Sequence, residues 1–127
     1  MKYILLAYTN REAWDAASAE IAETHKLPES VQKACDFYEQ FGKELVESGE
    51  FVSTEGLADP SHSKTIRSQN GVAVASDGPF AESKEVLVSF CIVDCASYDR
   101  ALEIAAKVVE NVGDTVEVRP VPQGPGA

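Results

Sequence analysis

Two stretches of this chain carry apolar residues on both faces of a strand, and nothing else in it constrains the fold as strongly. Lys2 to Tyr8 sets Tyr3, Leu5 and Ala7 against Ile4, Leu6 and Tyr8, and Val86 to Asp94 sets Val86, Val88, Phe90 and Ile92 against Leu87, Cys91 and Val93. Strands of this kind belong inside a sheet and need cover above and below. Cover for one side is written in two helical stripes. Pro28 suits the first turn of a helix in which Val31, Ala34, Cys35, Tyr38, Phe41 and Leu45 recur at helical spacing and which stops at Gly49. Ala101, Leu102, Ala105, Val108, Val109 and Val112 do the same after a Ser97 cap and stop at Gly113.

The connecting segments fill in the order. Thr9 and Glu12 have capping-box spacing ahead of a shorter helix carrying Trp14, Ala17, Ser18 and Ile21. Phe51 to Leu57 has weak strand character, and Asp59 to Ser63 reads as a loop. Lys64 to Gln69 and Val72 to Ser76 flank Asn70-Gly71, a strong signal for a hairpin with a two-residue type I′ turn. That turn predicts Lys64 opposite Asp77 and Arg67 opposite Val74, so Arg67 and Asp77 point to opposite faces. Thr115 to Arg119 forms a last strand. The order is β, α, a second α, β, then the hairpin, then βαβ. Right-handed crossovers place both principal helices on one face, so the far side of the sheet is left apolar and open. A second copy of the chain is the expected cover, and the prediction is a homodimer.

A length of 127 residues suits one compact domain, here residues 1–120 with a mobile tail at 121–127. The formal charge of -10 repels phosphate backbones and anionic bilayers, so direct binding to nucleic acid or a membrane is not expected. The apolar run from Tyr3 to Tyr8 is too short for a signal peptide, which makes a cytoplasmic protein the expectation. Cys35, Cys91 and Cys95 form no Cys-x-x-Cys pair and read as free thiols, with no metal site and no cofactor expected.

Between the hairpin and the second apolar strand lies Asp77-Gly78-Pro79-Phe80-Ala81-Glu82-Ser83-Lys84-Glu85. Pro79 fixes its own backbone and restricts Gly78, and Asp77 is placed to cap the turn, so the segment reads as a rigid, charged corner. This stretch resembles the signature of the DGPF branch of the YCII-related proteins. The likeness extends to Met1–Leu6, Glu55-Gly56-Leu57, Thr65-Ile66-Arg67 and Val116–Pro120. The resemblance implies an α+β, ferredoxin-like domain of the dimeric α/β-barrel type, a βαββαβ core with an inserted β-hairpin, and no assigned reaction. It also implies kinship with domains found fused to, or beside, extracytoplasmic-function sigma factors.

No Gly-x-Ser-x-Gly, Gly-x-Gly-x-x-Gly or His-Glu-x-x-His motif is present, so any chemistry must come from scattered residues gathered by the fold. Asp77 and His62 are the candidates for moving a proton, against the alternatives of a turn cap and an exposed loop histidine. Arg67 is the candidate anchor for an anion, and Glu55, Glu82, Lys84 and Glu85 are candidate ligand-orienting groups, against internal ion pairs and a solvated face. Trp14, Tyr8, Tyr38 and Phe80 read as core aromatics before they read as pocket walls. Two functions follow. The first is a dimeric small-molecule-binding domain with a cleft at the Asp77 corner, extending to cofactor-free acid–base catalysis on an anionic ligand. The second is an accessory module acting through protein contacts in sigma-factor systems.

Overall fold

The computed structural model describes residues 1–79 and 83–124. Strand β1 (Lys2–Asn10) leads into helix α1 (Arg11–Thr24) and helix α2 (Glu29–Ser48), followed by β2 (Phe51–Gly56). A 3-10 turn at Pro60–His62 precedes the hairpin β3 (Lys64–Gln69) and β4 (Val72–Asp77). Then come β5 (Glu85–Asp94), helix α3 (Tyr98–Val112) and β6 (Thr115–Val121). The four-stranded sheet runs β2-β5-β1-β6, all neighbours antiparallel, and β3-β4 form a separate two-stranded sheet. This is the ferredoxin-like α+β arrangement with an inserted hairpin.

The local signals act as their chemistry dictates. Ser97 accepts from the Arg100 amide at the start of α3, and Gly49 and Gly113 close α2 and α3. Asn70 and Gly71 both take positive φ, 54° and 80°, as a type I′ turn requires, and the register pairs Lys64 with Asp77 and Arg67 with Val74. Three boundaries differ from expectation. Thr9 stays in β1, paired with Val86, so the cap of α1 passes to Asn10, whose side chain accepts from the Ala13 amide. Pro28 sits just before α2 rather than inside its first turn. The last strand continues through Pro120 to Val121 on its pairing with Lys2 and Tyr3.

Helices α2 and α3 cover one face of the sheet. Phe41 and Leu45 of α2, with Ala101, Ile104 and Val108 of α3, close over Tyr3, Leu5 and Val93 to make the core. Glu50, just before β2, clamps α3 by a fork to Arg100, with Nε to Oε2 and Nη2 to Oε1 both at 2.9 Å. Helix α1 is different: it buries no residue. The opposite face of the sheet carries Ile4, Leu6 and Tyr8 of β1 beside Phe90 and Ile92 of β5, all half-buried, with Leu87 exposed. Strand β5 breaks its expected alternation. Ala7 pairs with Ser89 and Tyr8 with Leu87, leaving Val88 as an extra residue, a β-bulge that takes Val88 out of the Phe90 and Ile92 row.

Candidate functional site

The polar groups singled out in the sequence that lie among the described residues are spread over the surface. Asp77 ends β4, and its Oδ1 accepts from Lys64 Nζ at 3.0 Å, with the two side chains 90% and 73% exposed. Asp77 is therefore left in water, where an ion pair contributes less than ~1 kcal/mol. His62 is exposed at the end of the 3-10 turn, with its backbone amide bonded to the Asp59 carbonyl. Arg67 lies on the hairpin face opposite the Lys64–Asp77 pair. Glu55 stands opposite Phe90 in the β2–β5 ladder, Glu85 accepts from Thr115 Oγ1 at 2.9 Å, and Glu82 and Phe80 lie outside the described residues. Asp77, Gly78, Lys84, Arg11, Glu12 and Asp15 border a broad polar groove open to solvent. The corner does make one firm contact: the Lys84 carbonyl accepts from the Arg11 amide at 2.7 Å, fixing the start of α1.

Among the described residues a smaller, mostly apolar concavity lies elsewhere, between the helix-covered face of the sheet and α1 and α2. It is a cleft of about 380 Å³ with mostly apolar walls, built from Leu5 and Ala7 of β1, Phe41 and Leu45 of α2, and Ile104 and Val108 of α3. The bulge in β5 turns Val88 and Ser89 both into this wall, with Cys91 beyond them. Trp14 lines it from α1, and its indole N–H donates to Asp59 Oδ2 at 3.0 Å. The Asp59 carboxyl is held down at about 2, by the Ser61 backbone N–H first and by that indole next. The helix with no fully buried residue is thus tied at two points, Arg11 to Lys84 and Trp14 to Asp59, and its tryptophan lines the cleft.

Gly42 sits in the middle of α2 and lines the same space, and a Cβ built there would meet no heavy atom within 4 Å. Glycine in a helix interior is about 1 kcal/mol less favourable than alanine, so this position gives up helix stability and leaves the cleft wider. Three titratable groups share the lining. Burial raises the Asp114 carboxyl, the nearby Thr9 side chain opposes that rise, and the Glu85 charge adds to it. Burial pushes the Tyr38 hydroxyl up to about 12, with the Asp114 and Cys91 charges adding, and burial alone pushes the Cys91 thiol up to about 11. Tyr38 and Cys91 accordingly stay protonated at neutral pH, and Asp114 is the carboxyl of the cleft lining. No lysine, arginine or histidine is among the described residues that line it.

Sequence reasoning missed this cleft. Trp14 and Tyr38 were expected in the core, yet Trp14 is half-buried and Tyr38 is 40% exposed. Asp114 follows Gly113 with no motif around it, and only the fold brings it to the residues of β1, α2 and β5. The one legible sign was Gly42, an interruption in the middle of the α2 stripe. Among the described residues there is no group of three or more His, Cys, Asp or Glu side chains that could hold a metal, and no helix long and apolar enough to cross a membrane.

The β2-β5-β1-β6 sheet with α2 and α3 on one face defines a small ferredoxin-like α+β domain, with an apolar cleft between the sheet, α1 and α2. Residues 1–123 match the model of the YCII-related domain, and the chain belongs to that family. It is also similar to an uncharacterized protein of Rhizobium meliloti (strain 1021), 32% identical over 123 residues, which cover 95% of this chain and 92% of that protein.

Proposed function

We propose that this YCII-related protein, of the DGPF branch, is a homodimeric small-molecule-binding domain whose ligand sits in the cleft between α1, α2 and the sheet. The observation that carries the reading is the cleft itself: about 380 Å³ of mostly apolar space with one carboxyl in its lining. Apolar concavities with a few convergent polar groups and a perturbed carboxyl are where small ligands bind. Among the described residues of the corner, Asp77 lies open to solvent, and Lys84 holds the start of the roofing helix through Arg11. The dimer is supported by the open sheet face, where Ile4, Leu6, Phe90, Ile92 and Leu87 form an apolar centre flanked by Glu55 and Glu117. Two such faces stacked about 10 Å apart would bury them.

The test is a thermal-shift screen against a broad metabolite set, run with the solution mass of the protein. A ligand that binds only the native state raises the melting temperature. Hits kept in Asp77→Asn but lost in Gly42→Leu, whose side chain fills the cleft, support the reading. Hits lost in Asp77→Asn and kept in Gly42→Leu would return the site to the corner. A mass of two chains that falls to one in Leu6→Glu supports the face-to-face dimer, and a monomeric wild type refutes it.

A further inference from the structure

We propose that the cleft selects small lipophilic amines, with the ammonium group paired to Asp114 and the apolar body lying against Trp14, Tyr38 and Phe41. This rests on reading the cleft as the ligand site, and it adds the charge and class of what enters.

Asp114 is a half-buried carboxyl whose charged form is disfavoured by desolvation, only partly offset by a hydrogen bond from the Thr9 side chain, and disfavoured further by the neighbouring Glu85, and no described residue of the lining supplies a positive charge. The other titratable groups there, Tyr38 and Cys91, become anionic when they ionise, so they offer Asp114 no compensation. The whole chain adds a formal charge of -10. An anionic ligand entering this site meets repulsion with nothing to offset it, whereas a cation supplies what the carboxylate lacks. The aromatic walls favour the same choice. The Trp14 N–H is occupied by Asp59 and is not free to donate to a ligand, and Trp14 of α1 and Tyr38 of α2 both line the cleft. Ring faces attract ammonium groups, more so where water is partly excluded. The remaining walls, Leu5, Ala7, Phe41 and Leu45, accept hydrocarbon. A volume of about 380 Å³ suits a single-ring or short-chain molecule. The sequence alone pointed to an anion held by Arg67; the cleft has the opposite polarity.

Trp14 is the chain's single tryptophan and lines the cleft, so its fluorescence reports occupancy directly. The probes are 2-phenylethylamine, 2-phenylethanol and 3-phenylpropanoate, of similar size but positive, neutral and negative at pH 7. Each is titrated against the full-length protein with excitation selective for tryptophan. Saturable quenching is expected, with the amine tighter than the alcohol by about tenfold to a hundredfold, the range of a charge-assisted hydrogen bond. The propanoate should be weakest. In Asp114→Asn, checked for folding by its thermal melt, the advantage of the amine over the alcohol should vanish while alcohol binding persists. Equal binding of amine and alcohol by the wild type would overturn the charge assignment and leave the cleft standing as an apolar site. A preference for the propanoate, or an amine affinity unchanged in Asp114→Asn, would overturn it too. Saturation by none of the three would remove both this inference and the cleft reading beneath it.

Discussion

Replacing Gly42 by alanine should make this protein more stable. Gly42 lies well inside α2 (Glu29–Ser48), and its φ is not positive, so alanine fits the backbone without strain. The added methyl meets nothing within 4 Å, so there is no overpacking to set against the gain. What remains is helix propensity, about 0.8–1 kcal/mol in favour of alanine. For a chain of this length that corresponds to a rise of roughly 3–5 °C in melting temperature. The assay is equilibrium unfolding in urea at fixed protein concentration, since a dimer's apparent stability shifts with concentration. The midpoint should rise while the slope m stays constant, the signature of a change in stability rather than in exposed area. A lower midpoint would mean that the space beside Gly42 is closed in solution, with α2 packed against the sheet more tightly than the structure has it. The cleft, and every argument that depends on its being open, would then fall.

Two further outcomes follow from the charged groups. Asp114→Asn should raise the melting temperature at neutral pH. The folded-state pKa of Asp114 lies above its unfolded value, so the native state binds more protons than the unfolded chain between the two. Stability then falls as pH rises from the usual aspartate range through the raised value, and the wild-type deficit persists above it. Melting curves from pH 3 to pH 8 should therefore diverge between wild type and Asp114→Asn as pH increases, and curves that stay parallel would refute this. Arg100→Ala should lower stability by about 1–2 kcal/mol, between an exposed ion pair and a buried one, because it breaks a two-point fork to a Glu50 side chain only 15% exposed. Arg100 is the main cause of the lowered Glu50 pKa. Its share of stability is complete above the ordinary glutamate value of 4.5 and is lost as pH falls through the lowered one. Acid unfolding should be correspondingly flatter in the variant, and an identical acid limb would count against the fork.

The amino-acid sequence determined what depends on neighbours along the chain. Asn70-Gly71 is legible because a two-residue turn needs positive φ at both positions, and that turn alone set Lys64 opposite Asp77, where the structure has them paired. Ser97, Gly49 and Gly113 are legible because caps and stops act on amides and carbonyls within one helical turn. The apolar alternation of β1 is legible because side chains in a strand repeat every two residues. The tertiary structure alone decided what depends on residues far apart. The Val88 bulge arises only where β5 pairs with β1, and it defeats the simple alternation read along β5. The cap of α1 moved to Asn10 because pairing with Val86 kept Thr9 in the strand. The cleft draws on residues from Leu5 to Val116, and apart from Gly42, which interrupts the α2 stripe, none of them is marked locally as a wall. Asp114 reads as an ordinary residue after a helix stop, and Asp77 as a poised one on a rigid corner. Burial separates the two, and burial is a property of the packed chain, which sets Asp114 half-buried beside Tyr38, Thr9 and Glu85 and leaves Asp77 in water.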